Sequence, residues 1–231
     1  MYIYGKNVIN DYLNSNKKIK KVFLYKNFND ENILSALRKN KIETKILEKF
    51  ELDKLVNGMH QGIILEVPDY EYCDIDEIVE KENSFVVILD HLEDPHNFGA
   101  IIRTCEAAGV DGIIIPKDRS VSVNSTVIKV STGAIENMKI ARVTNIASTI
   151  NELKQNGFWI VGTDMLGTPY NEIDYKGKIA IVIGNEGNGM SRLVKESCDF
   201  IATIPMNGLT NSLNASVATG IVVFEAVKSR K

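Results

Sequence analysis

Six short runs of almost unbroken apolar residues recur through the last two thirds of the chain: FVVILD (85–90), GIIIP (112–116), KIARV (139–143), FWIVGTD (158–164), KIAIVIG (178–184) and FIATIP (200–205). Each is separated from the next by a segment of helical length. A strand that is apolar on both sides has to be covered on both sides, so the runs predict an α/β fold with a mainly parallel sheet between helices. Trp159, inside the fourth run, is expected to pack in the core. In such sheets ligands bind outside the carboxyl ends of the strands. Four loops there are chemically unusual: HLEDPHNFGAIIR (91–103), GTDMLG (162–167), GNEGNGMS (184–191) and PMNGLTNSLNAS (205–216). A dinucleotide-dependent oxidoreductase would need a G-x-G-x-x-G turn after the first strand, and HLEDPHNFG does not supply it. GNEGNG carries an acid and lacks the Walker lysine, which argues against a phosphate cradle.

Upstream, VFLY (22–25), ILSALRK (33–39), ETKILE (43–48), FELDKLV (50–56) and GIILEV (62–67) read as a small separate α/β unit that ends at Val67–Pro68. Charge divides at the same place. The chain's net charge is −3, but residues 1–68 hold 12 basic against 8 acidic residues, while the following DYEYCDIDEIVEKE (69–82) holds one against seven. This pattern fits an RNA-contacting module at 1–68, an acidic linker at 69–82 and a second domain at 83–231. Ordinary surface charge accounts for the same counts equally well. The three cysteines, Cys73, Cys105 and Cys198, are far apart and have no metal-ligand spacing, so reduced thiols and no metal are expected. With neither a secretory leader nor a long apolar span at the amino terminus, the expected location is cytoplasmic and away from membranes.

Three blocks, ILDHLEDPHNFGAIIRTCEAAGV (88–110), IAIVIGNEGNGMSRLVKESCD (179–199) and IPMNGLTNSLNASVATGIVVFEAV (204–227), resemble in order and spacing the three motifs of the SpoU/TrmH RNA methyltransferases. The opening YGKNVI (4–9), HQG (60–62) and IIIPKDRS (113–120) make the chain most similar to the members that methylate guanosine in bacterial 23S rRNA on the ribose 2′-oxygen. The resemblance covers nearly the whole length and includes a substrate-binding domain at 1–68. It implies a deep C-terminal trefoil knot, S-adenosylmethionine as cofactor, and a homodimer acting on RNA. Composition and periodicity alone imply no knot, which general fold rules disfavour. A tRNA substrate and a non-catalytic rRNA-binding protein are the alternatives.

Carried over by motif, the resemblance implies catalytic roles for Asn97, Arg103, Glu186, Ser212 and Asn214. It implies cofactor contacts for Thr163, Gly184, Ile204, Met206 and Leu213. Arg103 suits bidentate phosphate binding and stabilisation of a developing alkoxide, although a surface ion pair is its bland alternative. Glu186 is expected either to hold Arg103 or Asn97, or to cap the helix beginning near Gly189. Asn214, with Ser212 and Ser216, would also suit a helix start. His60, His91 and His96 are scattered and have no evident serine or cysteine partner, so they are read as structural, with His96 shaping its loop and a candidate RNA contact.

Overall fold

A computed structural model describes residues 1–15, 17–40 and 42–230. The chain divides into two compact units, Met1–Glu71 with Val123–Lys129, and Tyr72–Ser122 with Val130–Lys231. The first unit contains β1 (Tyr2–Tyr4), α1 (Lys6–Asn14), β2 (Lys21–Tyr25), α2 (Glu31–Lys39), β3 (Thr44–Leu47), α3 (Lys49–Leu55) and β4 (Ile63–Glu66). Its sheet has the order β1-β4-β2-β3, antiparallel except for the β2/β3 pair. Side chains alternate across a strand. Val22, Leu24, Ile63 and Leu65 accordingly face the core made with Ile9, Leu13, Ile33 and Leu37 of α1 and α2, while Phe23 and Ile64 pack with Leu47 and Leu52 of β3 and α3 on the opposite side. The runs VFLY and IIL are continuous because both faces of this small sheet are covered. Asp30 caps α2 through the Ile33 amide, and Glu48 and Glu51 close a capping box at the start of α3.

The second unit starts with the short helix α4 (Asp76–Val79), whose Ile78 is buried under Gly112; a Cβ at Gly112 would lie 2.7 Å from the Ile78 side chain. There follow β5 (Phe85–Leu89), α5 (Pro95–Ala108), β6 (Gly112–Pro116), α6 (Ser125–Ser131, which begins within the first unit's segment), β7 (Ile140–Val143), α7 (Ile146–Gln155), β8 (Trp159–Pro169), β9 (Ile179–Ile183), α8 (Arg192–Ser197), β10 (Phe200–Thr203) and α9 (Ala215–Ser229). All six expected runs form strands, and every pairing between them is parallel, in the order β10-β8-β9-β5-β6-β7. Every residue of β5, β6 and β9 is buried, and burying each of their isoleucine and valine side chains contributes roughly 1.5–3 kcal/mol.

The chain leaves β5 toward one edge through β6 and β7, then returns on the other side through β8, with β9 inserted beside β5. The strand order therefore reverses at the β5/β9 junction, which is where an open parallel sheet forms its ligand crevice. Trp159 departs from expectation. It is 54% exposed and leans on Phe200 with ring centres 5.8 Å apart. It opens β8, where it pairs with Ile179 of β9, and β10 begins only two residues further on, at Phe200 opposite Val161.

Candidate active site

The loops leaving β5 and β9 are tied together at the point of strand reversal. Asp90, only 1% exposed, accepts a hydrogen bond from the Ser191 amide at 2.7 Å and lies 2.6 Å from His91 Nδ1. Asn185 donates from its side chain to the His91 carbonyl at 2.8 Å, while its Oδ1 accepts from the amides of Gly187 and Asn188. His91 has φ +58°, a strained conformation for a residue with a Cβ, and these bonds to both of its flanks hold it there. Gly184 is required by close approach: a Cβ there would come within 2.4 Å of the backbone at Gly189 and Met190. Asp90 and Asn185 were missed by sequence reasoning. The one available signal was a carboxylate ending an apolar strand, in FVVILD.

Beside this knot of loop contacts, one hydrogen-bonded chain links three of the sequence motifs. Asp94 caps α5 through the His96 amide with Pro95 at its first position, and Gly109 closes the helix at φ +73°. That start places Asn97, 7% exposed, in the first turn of α5. Its Nδ2 donates to Glu186 Oε1 at 2.9 Å, and its Oδ1 accepts from Asn214 Nδ2 at 2.8 Å. Asn214 is the N-cap of α9, its Oδ1 accepting from the Ser216 amide and hydroxyl and the Val217 amide. The direction of the chain is thus fixed from the helix end: the α9 amides take Asn214 Oδ1, which turns Nδ2 toward Asn97 and leaves the Asn97 Nδ2 for the carboxylate. Of the two roles expected for Glu186, the hydrogen bond to Asn97 is the one formed; the nearby helix, α8, begins at Arg192 with Ser191 at its cap position.

Arg103 lies about 9 Å further along α5 at 1.5 Å per residue. It is exposed and, among the described residues, has no hydrogen-bond or ion-pair partner. A cation held in this way is available to an anionic ligand. Ser212 is exposed in the loop before α9 and likewise has no partner among the described residues, so it is not joined to the asparagine chain.

The remaining expected residues fall at an irregular stretch inside β8 (Thr163) and on the loops after β9 (Gly184) and β10 (Ile204, Met206 and Leu213). Parallel pairing of β8 with β10 jumps from Gly162 opposite Ile201 to Thr168 opposite Ala202, so Thr163–Gly167 bulges out of the ladder. Thr163 Oγ1 donates to the Val182 carbonyl at 2.9 Å, and Thr203 Oγ1 donates to the Met165 carbonyl at 2.9 Å. Burial pushes the Asp164 carboxyl up, but hydrogen bonds from Lys195, 2.9 Å away, and from the Leu166 and Met165 amides outweigh it and leave the group below the usual carboxylate range. Ile204 is half-buried, whereas Met165, Leu166, Met206, Leu209 and Leu213 stand exposed, Leu166 by 81%. Exposed apolar side chains gathered on two such loops are suited to cover the flat apolar face of a ligand. Among the described residues no group of His, Cys, Asp and Glu could hold a metal ion, and no helix is long and apolar enough to cross a membrane.

Sequence comparison decides the family. The profile of the SpoU rRNA Methylase family matches residues 84–224, and that of the RNA 2′-O ribose methyltransferase substrate-binding domain matches residues 2–73. The chain belongs to the SpoU rRNA methylase family. YacO of Bacillus subtilis (strain 168), named as a TrmH-family tRNA/rRNA methyltransferase, is 42% identical over 238 residues, spanning 99% of this chain and 96% of that protein. Two solved structures share the architecture of this SpoU/TrmH RNA methyltransferase. The AdoMet-bound rRNA methyltransferase of Sinorhizobium meliloti superposes with a TM-score of 0.75 at 27% identity, over 98% of this chain and 86% of that one. AviRb of Streptomyces viridochromogenes, also solved with AdoMet, superposes with a TM-score of 0.76 at 24% identity, over 99% and 89%. At that identity AviRb supports the fold alone. The three motif loops of this family member converge at the carboxyl ends of its parallel sheet.

His60 and His91 have no serine or cysteine partner among the described residues, and each has a carboxylate neighbour, Asp53 and Asp90. His96 forms no such pair among the described residues; its backbone helps to start α5.

Proposed function

We propose that this chain transfers a methyl group from S-adenosylmethionine to a ribose 2′-hydroxyl of RNA, the acceptor being a guanosine in 23S rRNA. The observation that carries the reading is the chain Glu186–Asn97–Asn214, which locks three motif loops beside a free, exposed Arg103 on the same helix. The cofactor, when bound, supplies a methyl group already activated on a sulfonium, so the protein has to align one hydroxyl and manage one proton. Thr163, Gly184, Ile204, Met206 and Leu213 would hold it. The tight Gly184 turn and the exposed side chains of Met206 and Leu213 fit a ligand with a flat apolar base and polar ends that bind backbone groups.

Arg103 binds the phosphate beside the target ribose and stabilises negative charge at the 2′-oxygen; a guanidinium, which keeps its proton in proteins, is a poor proton acceptor. Asn97, held from both ends, keeps the loops at a fixed separation with Glu186 and Asn214. Ser212, exposed and without a protein partner, is free to meet substrate or cofactor. The segment after β10 passes through a loop to form a trefoil knot. Residues 1–68 supply the RNA-binding domain and 83–231 the body of the catalytic domain, and the acidic segment 69–82 joins them while contributing α4 to the second unit. Three unpaired thiols agree with a cytoplasmic enzyme.

The enzyme acts as a homodimer. Val217 and Phe224 of α9 are half-exposed and share a stripe with Gly220 and Ile221, an apolar face that a second copy would cover. The function is tested by incubating the full chain with labelled S-adenosylmethionine and separated rRNA and tRNA, followed by nucleoside mass spectrometry. A 2′-O-methylguanosine in 23S rRNA is expected. Label on a base atom, or on tRNA alone, overturns the reaction or the substrate.

A further inference from the structure

The first unit contains a pocket of about 550 Å³ between the turn after β2 and the loop before β4. We propose that it holds one unpaired nucleobase of the RNA substrate, an inference that rests on the RNA-methyltransferase reading and adds a second, non-catalytic contact to it. Three features of the walls point to a base.

Two aromatic rings, Tyr25 and Phe28, line the pocket, and Lys6 Nζ stands 5.3 Å from the centre of the Phe28 ring while pairing with Asp30 at 3.0 Å. Aromatic planes and cations placed together serve stacked bases and their phosphates. Lys49 adds a further cation to the lining.

Edge groups are also available. Gln61 Oε1 accepts from the Lys6 amide at 2.8 Å, which turns the two side-chain N–H donors away from that bond, and neither Gln61 nor Asn29 has a further side-chain partner among the described residues. Unpaired amides beside aromatic walls are what reading a base edge requires.

The wall is also rigid. His60, 6% exposed, accepts the Gly62 amide at Nδ1 (3.0 Å), so its proton lies on Nε2 and is directed at Asp53 Oδ1, 2.9 Å away. The bond pins a loop in which Gln61 has φ +53° and Gly62 φ +83°; a Cβ on Gly62 would sit 3.2 Å from the Phe28 ring. A preformed pocket avoids the ordering cost that a flexible loop would incur on binding. The volume lies within the range of pockets that enclose small ligands, about 300–1,000 Å³.

The test uses the full chain and a single-stranded octaribonucleotide of mixed sequence with one central 2-aminopurine, compared with the same oligonucleotide abasic at that position. Binding should quench the 2-aminopurine fluorescence, and the abasic RNA should bind about tenfold or more weakly, as expected for loss of one stacked base. Phe28→Leu, which preserves apolar volume, should abolish the quench and weaken binding about fivefold or more. Gln61→Gly, compatible with the positive φ, should weaken it severalfold. Equal affinity for intact and abasic RNA overturns the pocket assignment, even where the enzyme methylates rRNA. Quenching without methyl transfer to ribose supports the pocket and refutes the proposed reaction instead.

Discussion

Replacing Asn97 by aspartate is almost isosteric, yet it should be one of the most damaging single changes in the second unit. It puts a carboxylate where the amide Nδ2 now donates to Glu186 at 2.9 Å. Two unit charges at that separation repel by about 1.5 kcal/mol at the dielectric constant of bulk water and about 6 kcal/mol at an effective value near 20. Asn97 is buried while Glu186 is exposed, so we expect a loss of about 2–4 kcal/mol, including about 1 kcal/mol for the lost hydrogen bond. Asn97→Ala should cost only about 1–2 kcal/mol, because water can reach both abandoned partners. The sign of the pH dependence follows from linkage. The new pair relieves its repulsion by binding a proton in the folded state, so the penalty is full at pH 8 and shrinks as pH falls through the carboxylate range. Urea unfolding of wild type and variant between pH 4.5 and 8 measures the difference directly, and methyl transfer at pH 8 should fall with it. If Asn97→Asp matches Asn97→Ala in stability at every pH, the Asn97–Glu186 hydrogen bond does not exist in solution.

Arg103→Ala should lower turnover by on the order of a hundredfold, as loss of a preorganised cation at a developing charge does. Its melting temperature should be unchanged, since Arg103 has no partner among the described residues, and Arg192→Ala, whose contact is an exposed Glu196 at 3.5 Å, should be silent in the same assay. Gly184→Ala should abolish cofactor binding by calorimetry, because its Cβ would sit 2.4 Å from immovable backbone; retained affinity would show that this turn is not part of the pocket. Val217→Asp with Phe224→Asp should halve the mass seen by light scattering if α9 forms the dimer contact. Burial pushes the Cys198 thiol up to about 12, with Asp199 adding to the effect, so iodoacetamide at pH 8 should label Cys198 only after denaturation.

The sheet was legible in the amino-acid pattern: six apolar runs became six parallel strands, since a strand apolar on both faces has few other ways to leave water. Residue types also marked one end of the site, because Asn214 acts on the start of α9 within three residues of itself, and such local chemistry is readable one segment at a time. Which residues meet across the site is set by long-range packing. Asn97 and Asn214 are 117 residues apart, and Asp90 and Ser191 are 101 apart; nothing in either segment encodes its partner, because the pairing comes from β9 inserting beside β5. Trp159 also departs from its apolar surroundings in sequence, which did not reveal that its side chain stands 54% exposed. Periodicity reports whether a face is buried on average, whereas the identity of a neighbour depends on strand order, which long-range packing sets.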